Sequence, residues 1–148
     1  EITSNYLLTD DLYLFANLGF LKTKIKNWES RIDLEGRSQA HAPEHSYSIG
    51  GNLNLKNNLY LKLDINGKSS FYYSDSHDNQ SKSYQLTNII FGYSNSDFSA
   101  DLWIRNIFDK YYSTRGFFFG NEAPNFIDTL YRRQGDSRNI GISLRYNF

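Results

Sequence analysis

The last eleven residues of the chain, Arg138 to Phe148, alternate between apolar and polar side chains without interruption. This is the period-2 pattern of a β-strand whose two faces meet different surroundings. The apolar face carries Ile140, Ile142, Leu144, Tyr146 and Phe148. The opposite face carries Gly141, Ser143, Arg145 and Asn147. A strand of about ten residues that ends on an aromatic ring is typical of a transmembrane β-barrel, in which one face meets lipid and the other meets the lumen.

The composition of the chain is compatible with a barrel and excludes a helical membrane protein. Aromatic residues make up 17% of the sequence, yet the mean hydropathy is −0.61. No run approaches the roughly 18 consecutive apolar residues that a spanning helix needs, whereas barrel strands hide their apolar residues by alternation. The zero net charge gives no reason to expect nucleic acid as a partner, and the absence of cysteine excludes disulfides and thiolate chemistry.

Seven segments have the pattern of strands, and the connections between them alternate strictly between short and long. The segments are Glu1 to Leu8, Leu12 to Ile25, Ser46 to Lys56, Leu59 to Tyr73, Ser83 to Ser94, Phe98 to Phe108 and Arg138 to Phe148. The short turns are rich in Asp, Asn and Ser, and the long connections are 26–45, 74–82 and 109–137. We therefore predict an all-β, antiparallel up-and-down meander with every long loop at one end, as in outer-membrane barrels.

Most of the predicted strands have one face almost free of charge. On the fourth segment Leu61 and Leu63 share a face, opposite Lys62 and Asp64. Two architectures fit this alternation: a barrel with its apolar face toward lipid, and a soluble all-β sandwich, for example a carbohydrate-binding or adhesive module, with those faces turned inward. The length of the strands and the asymmetry of the turns favour the barrel.

No catalytic or metal-binding constellation is evident in the sequence. His41 and His45 have the spacing of a metal pair, but Pro43 lies between them and argues against a helical presentation, so exposed loop histidines are expected. No nucleophile motif surrounds any Ser or Thr. We therefore expect no enzyme, no cofactor and no metal site, and an outer-membrane lipase or protease barrel is disfavoured.

The connection 109–137 is the main candidate for function. Loops longer than about 12 to 15 residues without structure of their own are usually functional or disordered, and this one is rich in aromatic and arginine side chains. Such a mixture could stack on and neutralise an anionic, partly aromatic ligand, or it could anchor the loop to its neighbours. The candidate ligand-binding residues are Arg115, Phe117, Phe118, Phe119, Asn121, Tyr131 and Arg132.

Several segments resemble the C-terminal end of a TonB-dependent outer-membrane receptor. They are Asn106-Ile107-Phe108-Asp109-Lys110-Tyr111-Tyr112, Thr114 to Pro124, Arg133 to Arg138 and the closing Ser143 to Phe148, with Leu14 to Phe20 and Gly36 to Pro43 further upstream. The resemblance spans essentially the whole chain. It implies a 22-stranded transmembrane barrel with a plug in its lumen, which imports a scarce nutrient such as an iron-siderophore complex.

On this resemblance we expect residues 1–148 to be the C-terminal part of the barrel, a fragment without the plug domain and unable to transport on its own. Glu1 opens within a strand pattern and is not preceded by a Met, which agrees with a piece of a longer protein. The expected location is the bacterial outer membrane. The expected partners are outer-membrane lipid, the remaining strands and plug of the full receptor, the assembly machinery, and an energy-coupling protein that is reached only through the missing N-terminal part.

The closing strand also resembles the signal by which barrel proteins are recognised for assembly. Its residues would be Ile140, Ile142, Leu144, Tyr146 and the terminal Phe148. The physical basis would be strand addition, in which an exposed edge pairs through its main chain while alternate side chains fill pockets on the partner.

We predict that Phe148→Ala in the full-length receptor lowers its level in the outer membrane severalfold, because the terminal ring anchors the added strand. Asn147→Ala, one residue away on the opposite face, should have little effect. Fractionation and blotting of cells that express each variant measures this difference, and equal membrane levels would contradict the assembly role of this strand.

Overall fold

Seven antiparallel strands form one sheet, and two more strands form a separate hairpin. The computed structural model describes all of residues 1–148. The strands are β1 (Ile2–Thr9), β2 (Leu12–Phe20), β3 (His45–Asn54), β4 (Leu59–Lys68), β5 (Tyr84–Ser94), β6 (Phe98–Arg105), β7 (Ser113–Phe119), β8 (Thr129–Gln134) and β9 (Asn139–Tyr146). The order in the large sheet is β1-β2-β3-β4-β5-β6-β9, and β7 pairs with β8. The predicted antiparallel meander is thus confirmed, with the hairpin inserted between its last two strands.

Three features differ from the prediction. The second and fourth segments were predicted to reach Ile25 and Tyr73, but β2 and β4 end at Phe20 and Lys68. Beyond Phe20 the chain leaves the ladder of the sheet and bonds to the backbone of its own loop, as in the contact from Ile25 N to Arg37 O of 2.9 Å. The connection 109–137, predicted to have no structure of its own, contains the β7–β8 hairpin.

The short turns close by the chemistry that their residues favour. Asn57 and Asn58 both adopt φ = 61°, the left-handed conformation that a two-residue hairpin turn requires and that Asn tolerates. In the β5–β6 turn, the Asn95 side-chain oxygen accepts hydrogen bonds from the backbone N–H groups of Asp97 and Phe98, at 2.9 and 2.7 Å. These tight turns fix the strand register at one end of the sheet.

The register places apolar residues of neighbouring strands on the same face. Leu61 lies opposite Leu53 of β3 and Phe91 of β5, and Leu102 lies opposite Phe91 and Ile142. The other face is polar. There Tyr60 donates a hydrogen bond to Asp101, and the Asn88 amide donates one to Asp64 at 2.7 Å. The large sheet therefore separates an apolar face from a polar one.

No second sheet packs on the apolar face. Leu102 and Ile142 are 47% and 71% exposed, and only 10 of the 148 residues are buried. A β-sandwich needs two sheets packed face to face at about 10 Å, so the sandwich alternative is not the architecture found. The helical content is a single 3₁₀ turn, Ile32–Leu34, and no helix has the length and apolar character to cross a membrane.

Glycines on the polar face make room for large rings on the paired strand. Tyr60 lies opposite Gly92, and Trp103 lies opposite Gly141. A Cβ atom at either glycine would collide with the ring that covers it. The rings thus lie flat across the neighbouring strand, which lets the Trp103 indole donate to the Ser143 hydroxyl at 3.1 Å.

We predict that Leu102→Arg destabilises the full-length protein in a bilayer by about 2 to 4 kcal/mol, because a charge on the apolar face would enter hydrocarbon near the midplane. The matched change Asn52→Arg, on the polar face of β3, should be far milder. Folding titrations into lipid vesicles measure both values. Equal costs on the two faces would mean that the apolar face does not meet lipid.

Candidate ligand-binding site

The three long connections meet at one end of the sheet and contain the only apolar core of the chain. The buried hydrophobic residues are Leu34, Phe71 and Tyr73, and all three lie in these loops. Loop A is residues 21–44, loop B is residues 69–83, and the β7–β8 hairpin belongs to the third connection. Backbone contacts tie loops A and B together, with His41 N donating to Tyr72 O at 2.9 Å. The loops therefore form a packed cap on the sheet.

Arg37 is the main polar link between loops A and B. Its side chain is only 8% exposed and donates to the carbonyl oxygens of Ser74 and His77 at 2.5 and 3.1 Å. It also pairs with the Asp78 carboxylate at 2.5 Å, and its guanidinium lies 4.3 Å from the centre of the Tyr72 ring. Because these bonds are charge-assisted and mostly shielded from water, Arg37 fixes the shape of loop B.

The hairpin packs against loop B through one close approach and one ring contact. Gly116 lies directly against the Tyr73 ring, where any Cβ atom would collide. Phe118 lies 5.4 Å from the His77 ring, centre to centre. Aromatic side chains of the third connection thus anchor it to its neighbour.

Asn106 closes the base of the hairpin insertion. It adopts φ = 50° and is 4% exposed. Its side-chain amide donates to the carbonyl oxygens of Lys110 and Asp136, both at 3.0 Å, and its side-chain oxygen accepts from Lys110 N at 2.8 Å. Its backbone N–H donates to the Asn88 side chain at 3.0 Å. One residue therefore joins both ends of the insertion through its side chain and the polar face of the sheet through its backbone N–H, a role that the sequence pattern alone did not reveal.

A cleft of about 260 Å³ opens where the hairpin meets loops A and B. It is lined by His41, Tyr73, Ser74, Ser76, His77, Arg115, Gly116, Phe117, Phe118 and Phe119. No carboxylate lines it, and Phe117 remains 50% exposed. Nε2 of His77 is buried without a hydrogen-bond partner. A guanidinium, hydroxyls and exposed rings together can hold an anion that carries flat apolar groups.

A second cleft of about 320 Å³ lies on the sheet side of the hairpin. Its lining is Tyr73, Gln80, Lys82, Ser83, Tyr84, Lys110, Tyr111, Tyr112, Ser113 and Arg132. Three cations and four tyrosines line it, again without a carboxylate. Tyr84 and Tyr112 contact each other with tilted rings whose centres are 4.5 Å apart. Both clefts thus offer the same chemistry.

The predicted ligand-binding residues are therefore divided among several places. The structure brings Arg115, Phe117, Phe118 and Phe119 to the first cleft and Arg132 to the second. The Tyr131 ring lies tilted against that of Phe119, with centres 5.1 Å apart, and its hydroxyl donates to the Glu122 carboxylate at 3.2 Å. Desolvation and this carboxylate raise the pKa of the Tyr131 phenol. Asn121 lies exposed beyond the end of β7 and makes no side-chain hydrogen bond.

Sequence reasoning missed the contribution of loop B. Tyr73, Ser74, Ser76 and His77 line the first cleft, and no local motif marks them. His41 and His45 are exposed, as predicted, and no group of three or more His, Asp or Glu side chains is arranged to hold a metal ion.

The proposed assembly strand forms one edge of the sheet. Ile140, Ile142, Leu144 and Tyr146 lie opposite Ile104, Leu102, Ala100 and Phe98 of β6. All four, like Phe148, are more than half exposed, and the Phe148 ring lies 5.2 Å from that of Tyr146. The outer edge of β9 has no strand partner in the sheet.

Solved structures share this fold, two receptors among them, although no family model matches the chain. The siderophore receptor PiuA from Acinetobacter baumannii is 15% identical with a TM-score of 0.75, and the match covers 95% of this chain and 20% of that one. A mutant of the ferric enterobactin receptor PfeA from Pseudomonas aeruginosa is 17% identical with a TM-score of 0.66, covering 96% and 21%. The chain thus spans about a fifth of each receptor, and the likeness is one of fold.

We predict that Arg37→Met lowers the free energy of opening loop B by about 1 to 3 kcal/mol, because the change leaves two carbonyl groups without their charged donor. Hydrogen exchange of residues 71–81 in the full-length protein should accelerate, while the sheet stays protected. Arg31→Met is the matched control, since Arg31 pairs only with Asp33 and the two side chains are 35% and 61% exposed; this change should leave the hydrogen exchange of loop B unaltered. Unchanged protection of loop B in the Arg37 variant would contradict the linking role.

Proposed function

We propose that this chain is the C-terminal part of the 22-stranded barrel of a TonB-dependent outer-membrane receptor, which imports a scarce nutrient such as an iron-siderophore complex. The observation that carries the proposal is the combination of a two-faced sheet with a cap of long loops that holds two cationic, aromatic clefts. The fold similarity to two siderophore receptors supports it. The fragment alone would not transport.

The sheet supports the location in the bacterial outer membrane. Its apolar face is uncovered across all seven strands, and the strands are 8 to 11 residues long, close to the roughly 9 to 11 residues with which a barrel strand crosses a bilayer. The short turns would then lie on the periplasmic side and the capped end outside the cell. The polar face would line the lumen and meet the plug.

The clefts support an anionic ligand with aromatic groups. Arg115 in the first cleft and Lys82, Lys110 and Arg132 in the second are not balanced by any carboxylate in either lining. A ferric chelate with aromatic oxygen donors carries negative charge on flat rings, and it would gain both ion pairing and stacking. The residues proposed for ligand contact are Arg115, Phe117, Phe118 and Phe119 in the first cleft, Arg132 in the second, and Asn121 and Tyr131 outside both clefts.

The remaining parts of the proposal concern partners and chemistry. The receptor would not be an enzyme and would not bind nucleic acid. The other strands and the plug would complete the pore, and the energy-coupling protein would act through an N-terminal part of the receptor outside residues 1–148. The β9 strand, with Phe148 at its end, would be recognised by the outer-membrane assembly machinery.

We predict that the double change Arg115→Ala and Phe117→Ala in the full-length receptor weakens ligand binding at least about tenfold, which corresponds to about 1.4 kcal/mol. The physical reason is the loss of one cation and one half-exposed ring from the first cleft. Uptake of iron-loaded siderophores by cells, and titration of the purified receptor, measure the effect.

Phe126→Ala is the control for this prediction, because Phe126 is 61% exposed and lies outside both clefts. It should leave affinity and uptake unchanged. If the double variant binds as well as the wild type, the first cleft is not the ligand site. If no siderophore is taken up by the wild type, the proposed transport function itself fails.

A further inference from the structure

Three lysines continue the apolar stripe of β2 beyond the edge of the sheet. Even-numbered residues of β2, from Leu12 to Phe20, lie on the apolar face of the sheet. The next even positions are Lys22, Lys24 and Lys26. In an extended chain, alternate residues stay on one side, so the stripe changes from apolar to cationic at Phe20.

The structure keeps this segment extended. Leu21 N donates to Glu44 O at 3.0 Å, and Ile25 exchanges backbone hydrogen bonds with Gly36 and Arg37 at 2.8 and 2.9 Å. Exposure also alternates. Lys22, Lys24 and Lys26 are exposed, while Thr23 and Ile25 are partly buried. The three lysines therefore lie on the exposed side of the segment, and the Lys24 side chain passes over Gly36.

None of the three lysines has an acidic partner within the chain. The ion pairs of the structure are Arg31 with Asp33, and Arg37 with Asp75 and Asp78. Glu29, Glu35 and Glu44 belong to the same loop and form no ion pair with any lysine. Three exposed lysines at alternate positions, none of them in an ion pair, are complementary to an anionic surface.

Large exposed side chains flank the lysines along the chain, and Phe20 among them lies on the apolar face. Phe20 is 60% exposed, Leu21 is 48% exposed and Trp28 is 40% exposed. Aromatic side chains are enriched at the boundary between hydrocarbon and headgroups. Lysine chains near this boundary extend along it to reach the polar layer. The position of the lysines thus corresponds to the headgroup layer above the stripe.

We propose that Lys22, Lys24 and Lys26 bind the phosphate groups of anionic lipids in the leaflet that surrounds the capped end of the barrel. The proposal rests on the membrane placement given under the proposed function and adds a lipid-binding site to it. Successive strand residues on one side are about 6.6 Å apart, because each residue rises about 3.3 Å. The three ammonium groups can therefore meet phosphates over a span of about 13 Å.

Reconstitution with a phosphate-bearing lipid tests the proposal. The full-length receptor would be placed in phosphatidylcholine nanodiscs that contain phosphatidic acid as the probe, and native mass spectrometry would count the retained phosphatidic acid. The double variant Lys22→Gln and Lys24→Gln should lower the apparent affinity for this lipid about 10- to 30-fold, since each lysine near an anionic surface contributes about a fivefold factor. Added salt should weaken wild-type retention.

The matched control is Lys56→Gln with Lys62→Gln. Lys56 lies in a short turn at the other end of the sheet, and Lys62 lies on the polar face, opposite Ile90 of β5. This variant removes the same charge and should retain phosphatidic acid as the wild type does. Equal loss in both double variants would show that net charge alone is responsible, and it would overturn the site.

Three further outcomes would also overturn the proposal. Unchanged retention in the Lys22 and Lys24 variant would exclude the lysines as the site. Competition by inorganic phosphate at the same concentration as the lipid would show a site for free phosphate instead. Failure of the wild-type receptor to insert would contradict the membrane placement and with it the proposed function, whereas insertion without preference for phosphatidic acid would contradict only the lipid site.

Discussion

A single-layer sheet cannot bury its own apolar face, and the rest of the structure follows from that constraint. Burial of apolar surface is the main favourable term in folding, yet only 10 of the 148 residues are buried and none of the buried apolar ones lies in a strand. The apolar face must therefore be covered by hydrocarbon or by another body. Because apolar and polar residues alternate along each strand, a chain with a mean hydropathy of −0.61 can still present an apolar surface.

The capped end has a different requirement, because long loops in water must be held in place by contacts of their own. Arg37 and Asn106 supply them with polar bonds to backbone carbonyl groups. Both side chains are shielded from water, so their bonds are stronger than the exposed pair of Arg31 and Asp33. The small core at Phe71 and Tyr73 then holds the hairpin in place. The residues that line the clefts are thus held in fixed positions by this packing, although they belong to loops.

The sheet was predictable from the sequence because its signals are local. Period-2 alternation locates the strands, and residues such as Asn57 and Asn58 mark the turns. The β7 strand was missed because Phe117, Phe118 and Phe119 run together without alternation. For the first cleft, the sequence predicted the residues from the hairpin but not those from loop B. Arg37 contacts a carbonyl group 40 residues away, and no local pattern reports a contact at that distance.

The alternation that organises the sheet also organises loop A beyond it. One side of the segment after Phe20 carries the exposed lysines, and the other side carries Thr23 and Ile25, which are partly buried. Thr23 accepts a hydrogen bond from Gln39 N at 3.0 Å, and Ile25 bonds to the backbone of Arg37. Arg37 in turn shapes loop B, which lines the first cleft. The two sides of this extended segment therefore have different roles. One side carries the lysines that would meet the membrane, and the other side packs against the loops that support the ligand-binding cleft. Both roles follow from the alternation of side chains in an extended chain.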